Sequence, residues 1–233
     1  MTRKRLNPTL WRTCRVLKNG IRLRLLRVVI ANDDKLNVTA IARLLGIGQP
    51  VATNGLRALQ ARGLIGVRRE RYSVYYNLQE DRSLPEATQL RAAFDDYFKS
   101  GELPDEWTAP MMVILKAFTH FNRLAMIRRL ARGEASKADL EKASGVVVKT
   151  IEHHLRILSR AGLIDSLSDS HGVGVYRLRP QQNPVSKELL RQTCSGDLDY
   201  FNNATGSERN LRLIHDKDGN RGFVKVRHSP IYD

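Results

Sequence analysis

Leu56-Arg57-Ala58-Leu59-Gln60-Ala61-Arg62-Gly63-Leu64-Ile65 returns 99 residues later as Leu155-Arg156-Ile157-Leu158-Ser159-Arg160-Ala161-Gly162-Leu163-Ile164. The shared pattern L-R-x-L-x-x-x-G-L-I extends in both directions. Gly46 pairs with Gly145, Ile41 with Leu140, and Leu44 with Ala143 at the same offset. Upstream, Arg22-Leu23 aligns with Arg123-Leu124, Leu26 with Ile127 and Val29 with Leu130. Downstream, Tyr76 and Leu78 align with Tyr176 and Leu178. Four collinear blocks whose offset changes only where loops belong describe an internal repeat of about 100 residues.

Each copy carries the same local signals. Ile21, Leu25, Val28 and Val29 recur at helical spacing, as do Phe118, Leu124, Ile127 and Leu130. Asn37 and Ser136 are N-cap residues for a short helix, and Ser136 with Asp139 fits a capping box. That helix, over 38–45 or 137–143, ends at a turn holding Gly46 or Gly145, where positive φ is inexpensive for glycine. A longer helix (49–62, 147–161) ends at Gly63 or Gly162, and alternating Val, Tyr and Ile then predict a hairpin over 64–78 and 163–178. Helix, helix, glycine turn, helix, hairpin is the winged helix-turn-helix order. The expected fold class is mainly α with small β-hairpin wings, as two tandem winged helix-turn-helix domains. A first domain with a trailing helix is expected over 1–100, a linker over 101–109, and a second domain with its own trailing helix over 110–200. A C-terminal extension, 201–233, holds a candidate β-hairpin around Asp216-Lys217-Asp218-Gly219-Asn220.

Charge points to the partner. The 233 residues carry a formal net charge of +15, an excess that suits a polyanion because neutralised phosphates release condensed counterions. Residues 1–84 hold 17 Lys and Arg against five Asp and Glu, or +12. The basic character is therefore concentrated in the first third. No apolar run reaches the ~20 residues of a membrane span, the N-terminus lacks the apolar stretch of a signal peptide, and a cytoplasmic location is expected. Cys14 and Cys194 make neither a disulfide framework nor a CxxC pair. They read as two half-buried thiols, with a redox pair between the first and last helices as the alternative.

Gly20-Ile21-Arg22-Leu23-Arg24-Leu25-Leu26, the stretches 48–56 and 147–155 with His153-His154-Leu155, and Arg68-Arg69-Glu70-Arg71-Tyr72-Ser73-Val74-Tyr75-Tyr76 resemble the first core helix, the recognition helix and the wing of the arsenic-repressor (ArsR) family of bacterial regulators. The resemblance covers about 10–100 and again about 110–195. It implies a DNA-binding transcriptional regulator, a repressor in the family pattern. Because that family pairs two chains through their first and last helices, two copies in one chain imply an intramolecular pseudo-dimer, with a homodimer of whole chains left open. The cysteine-bearing metal-sensing stretch of some members is absent from 38–45. No metal or cofactor is expected.

The residues expected to meet double-stranded DNA follow from how a recognition helix offers its first half to base edges while basic groups fix it to phosphates. In the first copy they are Gln49, Pro50, Val51, Thr53 and Asn54, with Arg57 as a phosphate contact. Gln and Asn pair with adenine, while Val51 and the Thr53 methyl suit thymine. Gly55 within that helix serves either close approach to DNA or tight packing on a neighbouring helix. The wing offers Arg68, Arg69, Arg71 and Tyr72. The second copy offers Lys149, Thr150, His153 and His154, but Glu152 and the acids of 165–172 add negative charge, so it is expected to bind less well. Adjacent His153 and His154 diverge by ~100° on a helix and do not converge on a metal. No phosphate-cradling loop, carboxylate–histidine cluster or nucleophile motif indicates an enzyme. The competing functions are a tandem winged-helix replication initiator, a chromosome-organising adaptor and a protein-interaction module.

Overall fold

In the computed structural model the residues described are 10–81, 83–100, 106–145, 148–168, 174–195, 211–215 and 221–225. Apolar periodicity sets the helices along Leu10–Ser195. They are α1 (Leu10–Leu17), α2 (Gly20–Ala31), α3 (Val38–Leu44) and α4 (Gln49–Gln60), then β1 (Gly66–Glu70), β2 (Ser73–Asn77) and α5 (Pro85–Lys99). The order then recurs as α6 (Thr108–Ala117), α7 (Phe121–Leu130), β3 (Ala135–Ser136), α8 (Lys137–Ser144), α9 (Val148–Arg160), β4 (Ile164–Ser168), β5 (Gly174–Leu178) and α10 (Pro184–Ser195). A mainly helical chain with small antiparallel hairpins is consistent with winged helix-turn-helix architecture.

The local signals account for the element ends. Asn37 Oδ1 accepts from Ala40 N at 2.9 Å and caps α3. Ser136 and Asp139 form the full capping box at the start of α8, satisfying donors that the first turn leaves open. Gly46 and Gly145 adopt φ of +62° and +64°, a region that penalises a Cβ, and so turn the chain between the two helices of each motif. β1 pairs antiparallel with β2 from Gly66↔Asn77 to Glu70↔Ser73. β4 pairs with β5 from Ile164↔Leu178 to Ser168↔Gly174, and β3 adds to the outer edge of β5. The counterpart of that third strand in the first half is a single bridge, Asn37↔Tyr75.

Two apolar clusters anchor these elements. Leu25, Leu26, Ile41, Leu56, Leu59, Leu64 and Phe94 are buried in the first half, and Leu115, Phe118, Ile127, Leu140, Ile151, Leu158 and Leu163 in the second. Each fully buried side chain of this size contributes about 1.5–3 kcal/mol. The halves also pack on one another: α1 and α2 meet α6, and α5 lies along α10. There the Arg191 guanidinium donates to Gln89 Oε1 at 2.5 Å and Gln192 Nε2 donates to the Glu86 carbonyl at 2.8 Å. Phe98 meets Trp107 edge-on at 5.2 Å, with the Arg27 guanidinium 5.8 Å from the Trp107 ring, close enough for cation–π attraction. Leu10–Ser195 is accordingly one compact unit. In the separate terminal unit, β6 (Leu211–His215) pairs antiparallel with β7 (Arg221–Lys225).

A candidate nucleic-acid interface

Helix α4 has two clean faces. Ala52, Gly55, Leu56 and Leu59 are buried against the core, at the i, i+3, i+4, i+7 spacing of one helical stripe. Gln49, Pro50, Val51, Asn54 and Arg57 are exposed, and Thr53 is half-buried. The Thr53 hydroxyl donates to the Gln49 carbonyl at 2.9 Å. Pro50 occupies the first turn, where a missing N–H costs nothing. Exposed Leu44, at the end of α3, and exposed Val51 add apolar area beside the polar stripe. Leu44 was not among the expected contacts, since its leucine periodicity reads as core.

Gly55 resolves to packing. A Cβ at this position would collide with Leu25 Cδ1 of α2 and reach within 3.8 Å of Arg22 Cγ. The residue faces inward, so close approach to DNA is not its role.

At the wing the structure separates three arginines that look alike in sequence. Arg69, Arg71 and Tyr72 are exposed. Arg71 holds φ of +49° in the two-residue loop between β1 and β2, a conformation that costs a non-glycine residue about 1–2 kcal/mol. Arg68, expected at the phosphate, is instead engaged within the protein. Its Nε donates to Asp34 Oδ2 at 2.8 Å, its Nη1 to Glu70 Oε2 at 2.5 Å, and its guanidinium stacks 4.7 Å from the Tyr75 ring. Asp34 lies in the loop between α2 and α3, and its backbone N–H donates to the Tyr76 carbonyl. Arg68 thus fastens the hairpin to the helical body.

Helix α9 repeats the two-faced pattern with different chemistry. Ile151, His154, Leu155 and Leu158 are buried, while Thr150, Glu152, His153 and Arg156 are exposed. The side chain of Lys149 lies outside the described residues. His154, expected beside His153 on the DNA side, is only 6% exposed; it belongs to the apolar stripe of Ile151, Leu155 and Leu158 and must be withdrawn from the interface. Its Nδ1 accepts from Arg123 Nη1 at 3.2 Å. Burial, reinforced by the charge of Arg123 and by His120 and His153, holds the imidazole down at about 4, so the ring is neutral near pH 7.

Arg123 is itself buried, which draws it down to about 10. It donates to the Ala117 and Lys116 carbonyls, each at 2.8 Å, and to Thr119 Oγ1 at 2.9 Å. Arg22 makes the corresponding bond to the Val16 carbonyl at 3.0 Å. In both halves a cation thereby meets the negative end of the preceding helix.

The acids of the second half are partly neutralised. Lys137 of α8 donates to Glu152 Oε1 at 2.6 Å. Arg179 reaches Asp165 Oδ1 at 2.5 Å, with Arg177 3.8 Å from Asp165 Oδ2. Both carboxyls are held below their ordinary range by these hydrogen bonds and charges. The repulsion expected from Asp165 is correspondingly reduced, because its partners enter from β5 (Arg177) and just beyond its end (Arg179). Asp169, Ser170 and His171 lie outside the described residues. Neither cysteine supports a redox pair: Cys14 is fully enclosed, its thiol pushed far up by burial, and Cys194 is exposed at the end of α10. Among the described residues no group of three or more His, Cys, Asp and Glu is placed to hold a metal ion, and no helix is long and apolar enough to cross a membrane.

Residues 121–166 match the family model described as bacterial regulatory protein, arsR family. The matched segment runs from the first residue of α7 into β4, about a fifth of the chain, and contains the helix-turn-helix of α8 and α9. No curated protein and no solved structure matches the chain. The segment is an ArsR-like helix-turn-helix, which points to a DNA-binding transcriptional regulator with double-stranded DNA as its partner.

Proposed function

We propose that the chain is a sequence-specific repressor of the bacterial cytoplasm, built from two tandem winged helix-turn-helix domains that act as an intramolecular pseudo-dimer. The reading rests chiefly on the exposed stripe of α4, set opposite its buried stripe and accompanied by a basic wing tip. In the first half Gln49, Asn54, Val51 and Thr53 meet base edges, Arg57, Arg69 and Arg71 meet phosphates, and Tyr72 packs against the backbone or minor groove. Thr150 and His153 serve the second half, with Lys149 beside them. The family match to the second helix-turn-helix and the packing of α1 on α6 and α5 on α10 support treating both halves as parts of one reader.

Footprinting of the full-length chain on genomic DNA tests this. One protected quasi-palindromic site per promoter, with affinity falling steeply as salt rises, is the expected result. Protection of short direct repeats would favour a replication initiator, and salt-insensitive or absent binding would refute the DNA-reading role.

A further inference from the structure

We infer that Glu152 is a base-reading residue of the second half and selects cytosine in the major groove. The inference rests on the DNA-binding role proposed above. Glu152 is exposed on α9 at the flank of the buried stripe of Ile151, Leu155 and Leu158, with exposed His153 and Arg156 further round the helix. At the 99-residue offset these three positions correspond to half-buried Thr53 and exposed Asn54 and Arg57 of α4. An acid on such a surface is disfavoured by DNA phosphates unless its charge is compensated and its geometry fixed.

Lys137 does both. Its ammonium holds Glu152 Oε1 at 2.6 Å, while the carboxylate remains 66% exposed. Glu152 Oε2 accepts no hydrogen bond among the described residues. A carboxylate is an acceptor only. The cytosine edge offers the N4 amino donor, whereas guanine N7 and O6 and thymine O4 repel a carboxylate oxygen. Adenine has a donor at N6 but an acceptor at the neighbouring N7, so it ranks below cytosine. The half-sites are therefore read differently at equivalent places: Thr53 carries a methyl group, and Glu152 a neutralised acceptor.

The test is selection by the full-length chain from duplexes with a randomised core, followed by affinity measurements on single-base variants of the selected site. The wild-type chain should enrich one position as cytosine over other bases, roughly five- to hundredfold. Glu152→Gln exchanges an acceptor for an amide that pairs with adenine N6 and N7, so preference at that position should move to adenine. Glu152→Ala should flatten that position alone. Both substitutions are at an exposed side chain, and unchanged thermal unfolding will show that the fold is retained. A motif identical in wild type and both variants overturns the inference while leaving the DNA-reading role intact. Failure of the wild-type chain to enrich any motif overturns both.

Discussion

Replacing Arg69 and Arg71 together with Ala should change the salt dependence of DNA binding in a calculable way. Both guanidinium groups are exposed beside Tyr72 at the wing tip. Each that neutralises a phosphate contributes about −0.9 to the slope of log affinity against log salt, so the double variant should be flatter by about 1.8. Between 50 and 200 mM salt, this becomes a roughly tenfold smaller loss of affinity than wild type suffers. Arg68→Ala provides the internal contrast. Its charge is already answered by Asp34 and Glu70, so its slope should stay within about 0.3 of wild type. Its effect belongs instead to hairpin docking, seen as a lower unfolding temperature. Fluorescence anisotropy with one labelled duplex at five salt concentrations measures the slopes of wild type, the double variant, Arg68→Ala and each single variant. Equal flattening by Arg68→Ala and by either single substitution, Arg69→Ala or Arg71→Ala, would contradict the assignment of Arg68 to its ion pairs with Asp34 and Glu70.

Three further outcomes follow from packing and charge. Gly55→Ala should destabilise the chain by a net of up to about 2 kcal/mol, because the new methyl meets Leu25 at an overpacking cost of about 1–3 kcal/mol that the ~1 kcal/mol helix-propensity gain only partly offsets; a raised urea midpoint would sink the packing account. His154 has a folded value of about 4 against an ordinary 6.5, so the unfolded chain binds more protons between those values. Stability should therefore be full above pH 6.5 and fall by about 2–3 kcal/mol as the pH drops to 4. His154→Gln should lose less over that interval, and parallel unfolding curves for the two proteins would count against a buried neutral ring. Asn54→Ala should weaken discrimination between sites more than binding to unrelated DNA, which competition between selected and scrambled duplexes will reveal.

The helices and their ends are legible because the signals are local. Asn37, Ser136, Gly46 and Gly145 act within one turn of the chain, and the repeated L-R-x-L-x-x-x-G-L-I carries the core stripe with it. His154 was also legible: it falls three residues after Ile151 and four before Leu158, within the buried stripe, while its polarity suggested the surface. Arg68 was not legible. Strand alternation puts Arg68 and Glu70 on one face of β1 and Arg69 on the other, but the Arg68 partner Asp34 is 34 residues away, and no local signal brings that acid to the Arg68 face. Gly55 required a three-dimensional neighbour as well, because helix spacing places it inward without saying what fills the space. Gly55 and His154 occupy equivalent positions at the 99-residue offset. Each borders the equivalent arginine, Arg22 or Arg123, so one structural place is solved by leaving a side chain out in one half and adding a hydrogen-bonded ring in the other.

The packing of α5 along α10, with its bonds from Arg191 and Gln192, joins the halves inside one polypeptide. Their association is consequently unimolecular, and dilution does not separate them. In the repressor role proposed here, one chain supplies both reading surfaces, so occupancy of a site rises with the first power of protein abundance. A pair of separate subunits that met only at high concentration would respond more steeply. Halving the amount of this chain would relax repression gradually, giving graded control at low copy number.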